Sequence, residues 1–503
     1  MSRELIVSGL QIAKDKPGLK DRLRNFFLIK KMNTPLGYTL LVLIFAAIAI
    51  GIAKAGIIVG ALVLAFIIGI PTVYSLLAYP RIGITIFLTF AYLIMWIMRM
   101  GITNFPLGTL MDGMEAMFIL NLFIQQKRHP DWKIFNTPIS VMIIIWIIYN
   151  LLEAENPSAT SLMAWVYTVR TVALVMLMYF VFLYNIRTKE FIRFIFKLWL
   201  GLALFGAAYA FKQQYFGFFP FEDAYLHSDP AIAYLLFIGG VWRKFSIFSD
   251  PVVFAYTMAV SSLLCIGLMT GPLPGRKKVI LFLLACFYLT NMLYSGTRGA
   301  FVLVPAAMLL YAIIKFNAKI LLLAVVASAI MVVLIFIPTS NGTLYRFQTA
   351  FKPSNDASYN VRKMNQKRIQ PFIQSHPMGG GLGSTGTWGQ KFSPGTMLAA
   401  FPPDSGYVRV AVEMGWIGLF LLCLLMFTVL KTGINNYYTI KDPELRSWCF
   451  AMVLIVFAFH IANFPQEALV QFPSNVYFYL VLALIGITKR LDNQQNAAAD
   501  GAK

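Results

Sequence analysis

Long apolar runs, interrupted by charge, Pro or Gly, recur from Leu36 almost to the end of the chain. A helix needs roughly 17 to 25 mostly apolar residues to cross a bilayer, and about fourteen stretches meet or approach that length. They are Leu36–Ala53, Ile57–Leu77, Ile82–Met98, Phe105–Ile124, Pro138–Leu152, Leu162–Tyr184, Phe191–Phe211, Val252–Met269, Val279–Tyr294, Ala300–Ile314, Ile320–Ile337, Ser405–Leu430, Trp448–Phe464 and Val476–Ile487. The fourth contains Asp112 and Glu115, the tenth is short, and the last soon turns polar. The pattern predicts an all-α integral membrane protein. Residues 1–35 form a basic leader, 36–337 hold helices 1 to 11 with an external loop at 212–251, 338–404 form a large loop, 405–488 hold helices 12 to 14, and 489–503 are a tail.

Composition agrees with the pattern. Hydrophobic residues make up 59% of the 503 and charged residues 13%, where a soluble domain carries about 25%. The 42 basic and 21 acidic residues give a net charge of +21. In a soluble protein that would suggest nucleic acid, but the placement of the charge argues against it. More than half of the basic residues fall in alternate connections: the leader, Arg81, Lys127 to Lys133, Arg187 to Arg193, Arg276 to Lys278, Lys315 and Lys319, Lys431 to Arg446, and Lys489 onward. Positive charge gathers on the cytoplasmic side, so both termini are expected in the cytoplasm. No cleavable signal peptide is expected, because the first apolar run follows a long basic leader and ends at Lys54. The four cysteines sit in or beside spans without metal-ligand spacing and read as packing residues. The last dozen residues read as a disordered tail.

Two external segments, Lys212–Pro251 and Pro338–Asp404, exceed ordinary loop lengths and are where a site is expected. Within the second, Ser358–Gln374 fits a basic amphipathic helix, lying on the membrane or solvated. Ionisable groups at membrane depth are costly and so point to function. Arg170 is the clearest, with a structural pair to Asp112 or Glu115 as the alternative. Arg298 follows, in a Ser295–Ala300 turn expected to dip below the external surface; its alternative is snorkelling to the interface. Arg243 precedes Asp250-Pro251, which reads as a helix N-cap and first-turn proline. Arginine forks near one face with few acids suit an anionic ligand, and a diphosphate matches them best. The glycines of His376–Gly383 lack the Lys and Ser/Thr of a phosphate-binding loop and read as a tight external turn.

These residues also resemble a known family. Arg243–Pro251, Ser295–Ala300, Arg362 with His376–Gly381, Asp404–Tyr407 and Glu413–Gly418 occur in an order similar to that of the bacterial O-antigen ligase and O-antigen polymerase superfamily, from about Arg170 to Gly418. The resemblance implies a multi-spanning glycosyltransferase of the C type, acting at the periplasmic face on a sugar chain linked to undecaprenyl diphosphate. Ligases of the family usually carry a His-Asn pair where this chain has Asp404-Ser405, which favours a polymerase or another polysaccharide-transferring relative.

The expected reaction joins an acceptor hydroxyl to the anomeric carbon of the lipid-linked donor, without metal or other cofactor. Arg170, Arg243, Arg298 and Arg362 are expected to hold the leaving diphosphate, and Tyr407 and Trp388 to stack on sugar rings. Asp404 is the candidate base, or else it and Ser405 cap the following helix. Glu413 is expected to pair with Arg409. Partners are the undecaprenyl-diphosphate-linked oligosaccharide, a glycan acceptor, membrane lipids and, as a further candidate, a chain-length regulator. The rival reading is a transporter or flippase of the same lipid-linked saccharide, although the inverted halves of many transporters are not visible here.

Overall fold

The computed structural model describes residues 34–55, 78–101, 107–238, 240–317 and 357–500, with isolated positions between 60 and 74 and short pieces between 322 and 351. Residues 1–74 and 75–503 are two separate units. The first contains α1 (Pro35–Ala55). The leader and most of the expected span Ile57–Leu77 lie outside the described residues, and the expected span Ile320–Ile337 is described only in part.

The second unit begins with α2 (Pro80–Arg99), α3 (Leu107–Arg128), α4 (Pro138–Leu152), α5 (Leu162–Asn185) and α6 (Lys189–Tyr215). Two short helices, α7 (Pro220–Leu226) and α8 (Pro230–Leu236), lead into an antiparallel hairpin of β1 (Phe237–Ile238) and β2 (Val241–Trp242). Then come α9 (Pro251–Met269), α10 (Gly275–Tyr294), α11 (Arg298–Phe301), α12 (Leu303–Ile314), α13 (Ala357–Ser375) and α14 (Gly386–Phe392). The chain closes with α15 (Gly406–Glu413), α16 (Gly415–Thr439), α17 (Pro443–Ala462) and α18 (Ser474–Asp500). Among the described residues nine helices are long and apolar enough to cross a membrane: α1, α2, α4, α5, α6, α9, α10, α16 and α17. The chain is thus a multi-pass membrane protein of the all-α class.

The helix ends follow local chemistry. Thr137, Ser161, Thr188, Asp250 and Asp442 each accept a backbone N–H as N-cap, and prolines open α4, α9 and α17. One sequence expectation needs correction. Ser405–Leu430 is not a single span, because the chain breaks between α15 and α16 at Met414 and Gly415, with Gly415 at φ +68°. A residue with a Cβ resists that conformation, and a Cβ here would meet the Pro377 carbonyl oxygen at 1.8 Å. Hydropathy runs straight through the break because α15 is itself half apolar.

Helices α9 and α17 form the centre: 83% and 78% of their apolar windows are buried, against 28% for α10 at the periphery. A helix apolar all round belongs in the middle of a bundle. Their close approach needs small residues, since lipid tails leave no hydrophobic drive between helices. At Gly267 an added Cβ would fall 2.3 Å from the Ala451 Cβ, and at Gly271 2.5 Å from Ser447 Oγ.

Candidate active site

The site is built around the first turn of α9. Asp250 Oδ1 accepts from Val252 N at 2.7 Å and Val253 N at 3.0 Å, while Ser249 Oγ donates to Asp250 Oδ2 and bonds Gln471 in the α17–α18 connection. The approach to this turn is pinned from below. Ser246 adopts φ +55°, rare for a residue other than glycine, and is held by Gln213 Oε1 at its N–H and by its own hydroxyl on the Gly206 carbonyl. Arg99, at the end of α2, donates to the carbonyls of Ser246, Phe248 and Ser249 and stacks over Phe245. Asp250→Ala is expected to lower stability by about 1 kcal/mol through loss of the cap, read as a lower thermal midpoint in detergent.

The other predicted residues join this turn through successive contacts. Arg243 Nη2 donates to Thr297 Oγ1 at 3.0 Å, Thr297 Oγ1 donates to the Pro251 carbonyl at 3.0 Å, and Arg243 Nε donates to the Ser295 carbonyl at 2.9 Å. Gly299, next to Arg298, packs so close that a Cβ would meet Pro465 at 3.0 Å and the Tyr256 hydroxyl at 3.2 Å. Tyr256 lies within electrostatic reach of both Asp250 and Arg362. Arg362 Nε stands 3.7 Å from Asp404 Oδ2, and both line a shallow cleft of about 10 Å³ with Asn365, Gln366, Pro402 and Ser405. Ser405 Oγ, not Asp404, accepts from the helix N–H of Val408 as the cap of α15, and Gly406 N donates to the Asn463 carbonyl at 3.0 Å. Arg243 and the turn that holds Arg298 therefore meet the first turn of α9, while Arg362 pairs with Asp404 just before α15.

Behind the cleft sits a charged network that the sequence showed only in part. Arg409 bridges Glu413 at 3.2 Å, the expected i, i+4 pair, and Glu467 at 2.7 Å. Glu413 also accepts from Gly383 N at 3.0 Å, from Thr385 N at 3.3 Å and from the Thr385 hydroxyl. Burial, with the charges of Glu413 and Asp404, holds the Glu467 carboxyl above the ordinary glutamate range, against the pull of Arg409. Glu467 carried no sequence signal, because its partner comes from a helix 58 positions away.

The glycine segment turns tightly, as expected, but it is packed inside the protein: residues 379–385 are all buried. Gly380 N and Gly381 N donate to the carbonyls of Val412 and Glu413 at 2.9 Å. Gly383, at φ +81°, lies so near α5 that a Cβ would meet Thr168 Oγ1 at 2.4 Å. The glycines let the loop wedge between α5 and the α15–α16 break.

Two predicted residues face elsewhere. Arg170 on α5 pairs with Asp112 of α3 at 3.2 Å, with Glu115 buried one turn beyond. Tyr407 bonds His460 Nδ1 at 2.7 Å, which turns its hydroxyl toward α17. Trp388 stacks with Tyr167, ring centres 4.8 Å apart, and with Phe392, and the Lys391 ammonium stands 5.7 Å from its ring. Helix α13 presents Ile369, Phe372 and Ile373 to Leu398, Phe401 and Val412, so that face packs on the protein itself, while Val361 and Met364 stay exposed. Among the described residues no group of three or more His, Cys, Asp or Glu side chains is placed to hold a metal ion.

No curated protein matches the chain. Residues 280–423, which hold the Arg298 turn, Arg362, the buried glycine loop, Asp404 and Glu413, match the family model described as O-antigen ligase. Together with the apolar helices, this match over 280–423 bears out the likeness of the chain to the O-antigen ligase and polymerase superfamily and supports a membrane enzyme of that type.

Proposed function

We propose that the chain is a glycosyltransferase that joins an oligosaccharide carried on undecaprenyl diphosphate to an acceptor glycan at the periplasmic face of the inner membrane, as a polysaccharide polymerase rather than a ligase onto lipid A core. The observation that supports this reading is that Arg243 and the Ser295–Gly299 turn, which holds Arg298, meet the first turn of α9, while Arg362 pairs with Asp404 just before α15. Asp404-Ser405 at the position where ligases carry His-Asn supports the polymerase reading.

In this proposal the acceptor hydroxyl oxygen attacks the anomeric carbon, the bond from that carbon to the diphosphate oxygen breaks, and the electron pair leaves with the lipid diphosphate. Asp404 takes the hydroxyl proton. Arg362, paired with Asp404, orients the carboxylate and stands beside the departing phosphate. Fixed guanidinium forks stabilise the charge as it develops, in place of a divalent cation. Arg170, whose side chain keeps 36% of its surface in spite of the Asp112 pair, would meet the lipid-proximal part of the donor. Tyr407 would contribute its ring alone, and the Trp388 stack a sugar platform.

The test incubates the purified chain in detergent with a lipid-linked oligosaccharide and follows product length. A ladder of longer chains supports the polymerase; transfer onto added lipid A core identifies a ligase instead. Passage of the saccharide across vesicles with no new glycosidic bond would overturn the enzyme reading in favour of a transporter.

A further inference from the structure

At the end of α5 farthest from the site, the Trp132–Phe135 turn, the α5–α6 connection and the last part of α18 enclose a second cavity of about 320 Å³. Asp131, Lys133, Ile134, Arg187, Arg490 and Gln494 line it. Its volume falls within the range of roughly 300–1,000 Å³ found for small-ligand sites. Three cations face one acid.

Two of the three cations are held in place, and the single acid pairs with only one of them. Arg490 donates from Nη1 to the Leu183 carbonyl at 2.7 Å and from Nη2 to the Ile186 carbonyl at 2.6 Å, which satisfies the C-terminus of α5 and fixes the guanidinium in the cavity wall. Arg187 donates from Nε to the Tyr184 carbonyl and reaches Asp131 at only 3.4 Å, in a pair nearly half exposed on both sides. Such an exposed pair contributes little. Lys133 makes no ion pair among the described residues. Burial, and after it the neighbouring Arg187 charge, push the Arg490 guanidinium down to about 10. An anion entering the cavity would relieve both effects.

The surroundings set the level of the cavity in the membrane. Trp132, adjacent to Lys133, leaves 60% of its surface exposed, as tryptophans at the bilayer–water boundary do. The cavity opens where a span meets a basic connection, the position at which basic pockets take acidic lipid headgroups.

We propose that this cavity binds the phosphate headgroup of an anionic phospholipid, with Lys133, Arg187 and Arg490 on the phosphate oxygens and Gln494 on a headgroup hydroxyl. The site is separate from the catalytic proposal and does not depend on it.

The test uses the full chain in nanodiscs of phosphatidylcholine, titrated with cardiolipin and read by native mass spectrometry. The comparison is the double variant Lys133→Gln, Arg187→Gln. Both side chains are exposed, and losing the Arg187 bond to the Tyr184 carbonyl and its exposed pair with Asp131 should lower the thermal midpoint in phosphatidylcholine only slightly. The expected result is retained cardiolipin on the unaltered chain and roughly thirtyfold weaker retention on the variant, the effect of two interfacial cations. Equal retention on both overturns the site. Inorganic phosphate that displaces cardiolipin at millimolar concentration would show a soluble anion site and overturn the lipid assignment.

Discussion

Asp404→Asn is expected to abolish glycan transfer while leaving the protein folded. Asp404 is the carboxylate of the cleft, 39% exposed and paired with Arg362 at 3.7 Å. The cap of α15 belongs to Ser405, so the substitution removes no helix end. A pair this exposed contributes only about 0–1 kcal/mol, and the thermal midpoint should hardly move. The rate should fall by roughly 10²- to 10⁴-fold, the usual contribution of a positioned base. Initial rates of chain extension, measured beside the thermal midpoint of the same preparation, separate the two effects. Turnover at the unaltered rate would remove Asp404 from the mechanism.

Glu413→Ala should have the largest effect on stability. The Glu413 side chain is 2% exposed and accepts from Arg409, from the Thr385 hydroxyl and from the backbone N–H groups of Gly383 and Thr385. Removing it leaves those donors buried and unmatched and frees the glycine loop from the α15–α16 break. Loss of one partner from a buried charge pair costs roughly 3–5 kcal/mol. Glu413→Gln should recover part of that loss but not all, since every partner is a donor and an amide presents a donor on one side. A midpoint for Glu413→Ala within a degree of the unaltered chain would show that Arg409, paired also with Glu467, does not need Glu413.

Features set by neighbours in sequence were legible in it. Asp250-Pro251 is the cap and first turn it was read to be, Arg409 and Glu413 pair one helical turn apart, and α4 spans the residues its apolar run marks out. Arg170 met one of the two acids named for it. What could not be read depends on contacts across the chain. Gly415 breaks a continuous apolar run because Pro377 crosses it, and the glycine loop is buried because α5 and Glu413 receive it. Arg99 and Glu467 act through partners 147 and 58 positions away, and nothing beside them in the sequence marks that role.

The central claim is that guanidinium groups at the head of α9 grip the departing diphosphate, and inhibition of transfer by added undecaprenyl diphosphate tests it most directly. Arg243→Lys, Arg298→Lys and Arg362→Lys keep the charge but replace the planar fork with a point donor. Each variant is expected to need several times more of the lipid diphosphate for half inhibition and to transfer more slowly. Inhibition and rate unchanged in all three would contradict the claim.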